Sequence, residues 1–129
     1  MDNIILDHYK KLASEWGLQG QMSMQDQVIR ERETQFLVKQ TQQCLRTLGV
    51  APEQAQILDA GCGNGYLLQA LWDELAGAEM TGLEFVPELV ELARSRNLPG
   101  VTIEQSDMRV TQKLNAHVVI SERSVVNLL

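Results

Sequence analysis

The sequence predicts an α/β fold in which helices cover both faces of a parallel β-sheet. Strand-like and helix-like segments alternate after Gly49, which is typical of right-handed crossovers between parallel strands. The 129 residues are within the usual range for one domain and allow a real core. A content of 44% hydrophobic and 22% charged residues is that of an ordinary folded protein.

The part of the chain before Gly49 has the periodicity of helices. Near its start an apolar face is predicted for Ile5, Tyr9, Leu12, Ala13 and Trp16. Residues 17–25 are polar and lack a period, so we predict a mobile loop. A helix over residues 26–48 follows, with Gly49 as C-cap and with room for a break along its length. Its buried stripe is predicted to be Ile29, Phe36, Leu37, Cys44, Leu45 and Leu48. We interpret residues 1–49 as a helical extension.

Residues 50–129 are interpreted as one domain that contains the sheet. Four strands are predicted, over residues 56–60, 79–84, 101–105 and 116–121. Two helices are predicted over residues 66–76 and 87–97, the second with Pro87 at its first position. A glycine-rich turn, residues 61–65, joins the first strand to the first of these helices. A short apolar segment, residues 125–129, follows the fourth strand.

Charge and composition exclude several classes of partner. Eleven Lys and Arg against 17 Asp and Glu give a formal net charge of −6, which argues against nucleic-acid or basic membrane-surface binding. No apolar run approaches the ~20 residues that span a bilayer, and the start of the chain lacks the basic residues of a secretion signal. Cys44 and Cys62 lie in unlike contexts and do not indicate a disulfide framework. We expect a cytoplasmic protein and identify no metal site.

The glycine-rich turn is the first feature that indicates chemistry. Gly61, Gly63 and Gly65 permit a sharp turn and a close approach of the backbone to a ligand, and Asp59 precedes them at the strand end. In open α/β sheets, ligands bind beyond the carboxyl ends of the strands, where this turn must lie. A tight turn without a ligand is the alternative interpretation.

The residues around the turn favour a cationic ligand. A dinucleotide fingerprint would have a third glycine where Tyr66 stands, and no Gly-Lys-Ser/Thr follows as in a P-loop. Four acids fall at or just past predicted strand ends: Asp59, Glu84, Asp107 and Glu122. The cations nearest to them in sequence are Arg109 and Arg123. Because a like-charge contact at ~4 Å costs about 4 kcal/mol at an effective dielectric of ~20, a pyrophosphate is disfavoured.

Residues 57–65, with the sequence ILDAGCGNG, closely resemble the first motif of class I S-adenosylmethionine-dependent methyltransferases. Glu84, nineteen positions after Gly65 within TGLEF, resembles the acid of their second motif. The stretches QSDM at 105–108 and HVVIS at 117–121 resemble the third motif and the fourth strand. This resemblance covers residues 54–129. It implies a Rossmann-like sheet in strand order 3-2-1-4, with the N-terminal helices acting as an extension or a lid.

The resemblance also implies that S-adenosylmethionine is the cofactor. Asp59, Gly61 and Gly63 would hold its methionine part, largely through backbone groups, and Gly65 belongs to the same cofactor-binding set. Glu84 would accept hydrogen bonds from both ribose hydroxyls. The cofactor has a net charge of about +1, the sum of a sulfonium, an ammonium and a carboxylate. This charge agrees with the excess of acids at the strand ends.

Four more residues complete the set that the resemblance implies. Phe85 would pack on the adenine, Asp107 would take its amino group, and the Met108 amide would reach a ring nitrogen. Ser121 would offer its carbonyl to the cofactor's ammonium group. Other interpretations stay open, with the acids as solvated or capping carboxylates and Phe85 and Met108 as core side chains. His117 is interpreted as a structural histidine.

The implied activity is methyl transfer to a small-molecule acceptor by direct displacement. We identify no general base and no other catalytic residue. Residues 121–124 lack an Asn/Asp-Pro-Pro-Tyr motif, which together with the acidic charge disfavours DNA, RNA or protein amides as substrates. One alternative is an S-adenosylmethionine-binding module or truncated pseudoenzyme that a partner chain completes. A nicotinamide-dependent oxidoreductase is a further alternative.

The chain departs from this family after the fourth strand. The usual sheet has seven strands, and the sequence predicts only about four of them, without the C-terminal ones. We therefore expect the fourth strand to form an exposed hydrophobic edge, which is a pairing liability. Such an edge favours a homodimer or a partner chain that covers it, or a longer enzyme of which these residues are a part.

Overall fold

The computed structural model describes residues 23–106, 116–121 and 124–127. Three helices lie in these ranges: α1 (Met24–Leu48), α2 (Tyr66–Glu74) and α3 (Pro87–Arg94), with a 3₁₀ turn at Pro52–Gln54. The apolar face predicted near the N-terminus lies outside the described residues. Within the described ranges, no helix is both long enough and apolar enough to cross a membrane.

Five strands form one sheet in the order β3-β2-β1-β4-β5. They are β1 (Gln56–Ala60), β2 (Glu79–Glu84), β3 (Val101–Gln105), β4 (Val118–Ser121) and β5 (Ser124–Asn127). The first four pair in parallel, which confirms the predicted α/β class and the 3-2-1-4 order. The bounds of β1, β2 and β3 are those predicted, whereas β4 begins two residues later than predicted.

The predicted exposed edge at the fourth strand is wrong. Strand β5 pairs antiparallel with β4, with Ser121 opposite Ser124 and Val118 opposite Asn127. The apolar segment that follows the fourth strand therefore returns along that strand instead of leaving it open. Its backbone groups occupy the hydrogen-bonding positions that a partner chain would need, so β4 itself offers no free edge.

Helix α1 is continuous over 25 residues, so the break allowed for within its length is not observed. It begins earlier than predicted because Ser23 caps it: the Ser23 hydroxyl accepts a hydrogen bond from the Asp26 N–H at 3.0 Å. Residues 23–25 therefore belong to the helix and its cap and not to the predicted loop. Gly49, with φ +71°, is the C-cap as predicted.

The predicted buried stripe of α1 is partly wrong. Leu37 and Leu45 are buried, but Ile29 and Phe36 are 48% and 60% exposed. The buried face instead includes Thr34, Val38 and Thr41. Thr41 can be buried because its hydroxyl donates to the Leu37 carbonyl at 2.8 Å, which satisfies the polar group within the helix.

Helices α2 and α3 end two to three residues before their predicted ends. Left-handed backbone at Gly77, with φ +87°, and at Asn97, with φ +50°, lies within the turns that follow them. Leu68 and Leu71 of α2 and its C-cap Leu75 are buried, and Leu67 is partly buried. These leucines pack against the sheet in one cluster with Val38 and Leu45 of α1.

Gly82 in β2 has no room for a side chain. A Cβ there would lie 2.7 Å from Leu68 Cδ1, 2.8 Å from Cys62 Sγ and 2.9 Å from Ile103 Cδ1. All three neighbours are buried, so none can move aside without disturbing the core. Gly82→Ala is expected to lower the free energy of unfolding by about 1–3 kcal/mol, as measured by denaturant titration. A Leu68→Val change in the same protein should recover part of this loss, and an unchanged midpoint for Gly82→Ala would contradict the packing argument.

Candidate functional site

The glycine loop, residues 61–65, lies where the sequence places it, between β1 and α2. Gly61, Gly63 and Gly65 all have positive φ, at +84°, +58° and +85°, a conformation that other residues rarely adopt. The Gly61 and Cys62 N–H groups both donate to the Leu83 carbonyl, at 2.8 and 3.0 Å. The loop is thereby fixed over the carboxyl end of β2, at the edge of the sheet where ligands bind in this architecture.

The second and third glycines serve the loop in different ways. A Cβ on Gly63 would have no atom within 4 Å, so open space adjoins the backbone there. A Cβ on Gly65 would lie 3.2 Å from the Arg96 side chain and 3.3 Å from Ala93 Cα. Gly63 is therefore the position at which a ligand can approach the backbone, whereas Gly65 allows close packing against the end of α3.

Glu84 ends β2 with its side chain 4% exposed under the glycine loop. Its Oε1 accepts a hydrogen bond from the Gly63 N–H at 3.0 Å. Its Oε2 accepts from the Phe85 and Val86 N–H groups, both at 3.1 Å. A carboxylate has about four acceptor positions, so about one remains for a ligand in this arrangement. Glu84 is not a solvated strand-end residue, and it helps to hold the loop.

Asp59 lies close to Glu84 in the sheet. It pairs with Gly82, two residues before Glu84, so both acidic side chains are on the same face. Asp59 is 5% exposed. Burial, together with the charge of the neighbouring Glu84, raises the pKa of this carboxyl from its ordinary value of 3.8 to about 7. Ionising Asp59 beside Glu84 therefore costs free energy, and a bound cationic ligand would reduce this cost.

Cys62 is buried inside the turn, with its Sγ toward Gly82. Burial raises the pKa of its thiol, and the Asp59 and Glu84 carboxylates add to this effect. The thiolate, which is the reactive form, is therefore disfavoured. This agrees with the interpretation of Cys62 as a small residue that fits the turn.

The structure brings Ser121 to the site, and it describes Phe85 next to Glu84. Ser121 ends β4 and pairs with Ala60, directly before the glycine loop. Phe85 is partly buried and packs against Val86 and Leu89. Asp107 and Met108 lie outside the described residues, so their predicted roles stay predictions. His117 accepts a hydrogen bond on Nδ1 from the Gln56 N–H at 3.0 Å, which confirms it as a structural histidine.

Sequence reasoning missed the residues that hold the loop in place through Asn64. The Asn64 side chain is 8% exposed, and its Oδ1 accepts from the Tyr66 N–H and from Arg30 Nη2, both at 3.1 Å. Arg96 Nε donates to the Asn64 carbonyl at 2.8 Å. Partial burial lowers the pKa of the Arg96 guanidinium, and Tyr66 opposes this shift. Of these contacts, only the one between Asn64 and Tyr66 could be predicted from the local sequence. Both arginines are more than 30 positions away from Asn64 in the chain.

Curated relatives match a little under half of the chain. The malonyl-[acyl-carrier protein] O-methyltransferase of Acetivibrio thermocellus is 45% identical over 61 residues, which are 44% of this chain and 22% of that protein. The ubiquinone biosynthesis O-methyltransferase of Xanthomonas campestris is 41% identical over 61 residues, 47% of this chain and 24% of its own length. The matched part thus spans about a quarter of the length of these relatives.

Solved structures share the fold. The plantazolicin methyltransferase BpumL in complex with SAH superposes with a TM-score of 0.58 at 21% identity, over 92% of this chain and 50% of that one. The YcgJ protein from Bacillus superposes with a TM-score of 0.56 at 16% identity, over 70% of this chain and 37% of that one. At these identities the likeness concerns the fold.

A family match covers more than half of the chain. The family described as a methyltransferase domain matches residues 52–127, from the 3₁₀ turn through β5. This range contains the glycine loop, Asp59 and Glu84, and thus the whole set of acids and glycines that carries the resemblance in the sequence. The chain therefore belongs to the methyltransferase domain family, whose cofactor is S-adenosylmethionine.

Proposed function

We propose that this chain binds S-adenosylmethionine at the glycine loop and forms the cofactor-binding part of an enzyme that methylates a small molecule. The observation that carries the proposal is the buried pair of Asp59 and Glu84 beside the loop. The Glu84 carboxylate attracts a cation and repels a pyrophosphate, and Asp59 adds a second negative charge when a bound cation favours its ionised form. Membership in the methyltransferase domain family supports this activity, and the residue assignments belong to the proposal.

The described residues fit the cofactor. Gly63 provides a stretch of backbone that a ligand can reach, since nothing fills the space at its Cβ position. Glu84 provides an acceptor that the Phe85 and Val86 N–H groups hold in place. In this proposal, Asp59 and the Gly61–Gly63 backbone hold the methionine part. Glu84 accepts one ribose hydroxyl and not both, because three backbone N–H groups already donate to its carboxylate. Preorganised acceptors of this kind lower the cost of ordering on binding.

The remaining assignments concern the adenine and the ammonium group. We place the adenine against Phe85, whose partly buried ring lies directly after Glu84, with Asp107 and Met108 as its hydrogen-bonding partners. The Ser121 carbonyl, at the end of β4 beside the loop, would accept the ammonium group. S-adenosylmethionine supplies a methyl group that its sulfonium already activates. The protein therefore mainly has to align the donor and exclude water.

The substrate class rests on the relatives and on charge. Both relatives described above are named O-methyltransferases, which favours an oxygen nucleophile on a small or carrier-bound acceptor. The net charge of −6 disfavours nucleic acid. In this proposal residues 50–129 bind the cofactor, and residues 1–49 form an extension or lid beside it. Within that extension, α1 already packs into the core through Val38 and Leu45.

Two measurements test the proposal. Isothermal titration should show S-adenosylmethionine binding more tightly than NAD, because only the first is a cation. Tighter binding of NAD would overturn the proposal. A transfer assay with a labelled methyl donor and a panel of phenols and carboxylic acids then tests catalysis. Transfer supports the enzyme, whereas binding without transfer favours a cofactor-binding module that a partner chain completes.

A further inference from the structure

Arg30 connects helix α1 to the glycine loop. Its Nη2 donates to Asn64 Oδ1 at 3.1 Å, and its Cζ lies 4.0 Å from the centre of the Tyr66 ring. The guanidinium therefore makes a charge-assisted hydrogen bond to the loop and a cation–π contact with the first residue of α2. Arg30 comes from outside the residues that the methyltransferase family matches.

Asn64, which receives this contact, takes part in three hydrogen bonds. It stands between Gly63 and Gly65, both at positive φ. Its side-chain oxygen holds the Tyr66 N–H as well as Arg30, and its carbonyl accepts from Arg96. Glycines gain much backbone freedom when released, so a loop of this composition needs such contacts to keep one conformation.

We propose that Arg30 is a positioning residue for the cofactor, since it holds Asn64 and so keeps the Gly63 backbone in its binding conformation. This inference rests on the proposed function. Without Arg30, S-adenosylmethionine would have to order the loop as it binds, which reduces affinity. Helix α1 then contributes to the cofactor site through Arg30, which contacts Asn64 and Tyr66.

The direction in which loss of Arg30 changes the affinity for S-adenosylmethionine distinguishes a positioning role from a simple charge effect. Removing a positive charge near a site for a cation strengthens binding by itself, because it removes a repulsion. A positioning role predicts the opposite. Arg30→Met, which keeps an unbranched stem but not the guanidinium, is expected to weaken S-adenosylmethionine binding about tenfold. Arg30→Lys, which keeps the charge and one donor, should restore part of the affinity.

Arg32→Met is the matched control, because Arg32 is an exposed residue of the same helix and its loss changes the net charge equally. Titration calorimetry with S-adenosylmethionine should give unchanged affinity for this variant. For Arg30→Met, the dissociation constant should rise while the stoichiometry stays that of the unmodified protein. If Arg30 only stabilised the fold, Arg30→Met would instead lower the stoichiometry and leave the dissociation constant unchanged. That result would overturn the inference. Equal affinity of the unmodified protein and both Arg30 variants would also overturn it.

A double-mutant cycle tests whether Arg30 acts through Asn64. If it does, Arg30→Met should weaken binding much less in an Asn64→Ala protein than in the unmodified one. Additive effects would contradict the route through Asn64. The proposed function fails separately: it falls if the unmodified protein does not bind S-adenosylmethionine, whereas the role of Arg30 falls if the unmodified protein binds and its Arg30 variants bind equally well.

Discussion

Replacing Glu84 by glutamine is expected to weaken S-adenosylmethionine binding at least tenfold, which corresponds to about 1.4 kcal/mol. Glutamine has one acceptor oxygen and one NH₂ donor where Glu84 has two acceptor oxygens. Because the carboxylate now accepts from the N–H groups of Gly63, Phe85 and Val86, at least one of them would face a donor. The variant also loses the charged acceptor for a ribose hydroxyl, and a hydrogen bond of this kind is worth about 1.5–3 kcal/mol.

The control for this prediction is Glu79→Gln, an exposed residue at the other end of β2 with the same change of charge. Calorimetry on both variants, at a temperature where both are fully folded, separates the local effect from net charge. We expect Glu79→Gln to bind as the unmodified protein does. Equal affinity of Glu84→Gln and the unmodified protein would refute the ribose assignment.

Strands β1 and β3 illustrate what local pattern can predict. Strand β1 contains the apolar pair Ile57 and Leu58 and is followed by Gly61, and strand β3 alternates apolar and polar residues directly after Gly100. Such local patterns predict short strands and their bounds. The glycine loop was predictable for a related reason. Each of its three glycines has a positive φ, which is a property of the local backbone and favours glycine at that position.

Helix α1 shows where the same reasoning fails. Counting apolar residues places Phe36 inside, but the helix is rotated so that Thr34 and Thr41 face the core. A threonine that satisfies its own hydroxyl within the helix is sterically similar to valine, and a pattern of polar and apolar residues cannot distinguish the two cases. The antiparallel return of β5 is another example, since an apolar segment does not specify the direction in which it pairs.

The candidate site divides in the same way. Asp59 and Glu84 were predictable because each ends a strand, and parallel strands bring their carboxyl ends to one edge of the sheet. Arg30 and Arg96 were not, because each reaches Asn64 over more than 30 residues of chain. Contacts of that range depend on how helices pack against the sheet, which leaves no periodic signal in the sequence. As a result, the loop contacts two arginines through Asn64 and the Glu84 carboxylate through Gly63.

Asp59→Asn is expected to stabilise the folded protein, and to do so more strongly as the pH rises. The pKa of Asp59 is about 7 in the folded protein, against an ordinary value of 3.8. Between these values the unfolded chain has lost the proton that the folded protein keeps, so the free energy of unfolding falls as the pH rises. Asparagine removes this penalty. The gain should be small near pH 4 and roughly 2–4 kcal/mol near pH 8.

Denaturant titrations at several pH values measure this gain. Asp73→Asn serves as the control, because Asp73 is an exposed carboxylate on α2 and its substitution removes the same charge. We expect the stability difference between the Asp73 variant and the unmodified protein to stay small and nearly constant. A constant gain for Asp59→Asn across the range would show that burial and Glu84 do not hold the proton on this carboxyl.

The same substitution should weaken S-adenosylmethionine binding, and the two effects have one cause. A bound cation favours the ionised carboxylate, so binding releases the Asp59 proton and affinity should rise with pH until about pH 7. The amino group of the cofactor itself titrates at about 7.7–8.0, but it contributes equally in both proteins. The difference between their pH profiles therefore isolates Asp59. If the affinity of the Asp59→Asn protein kept the full pH dependence, the proton released on binding would come from another group. The gain in stability and the loss of cofactor affinity would then have different causes.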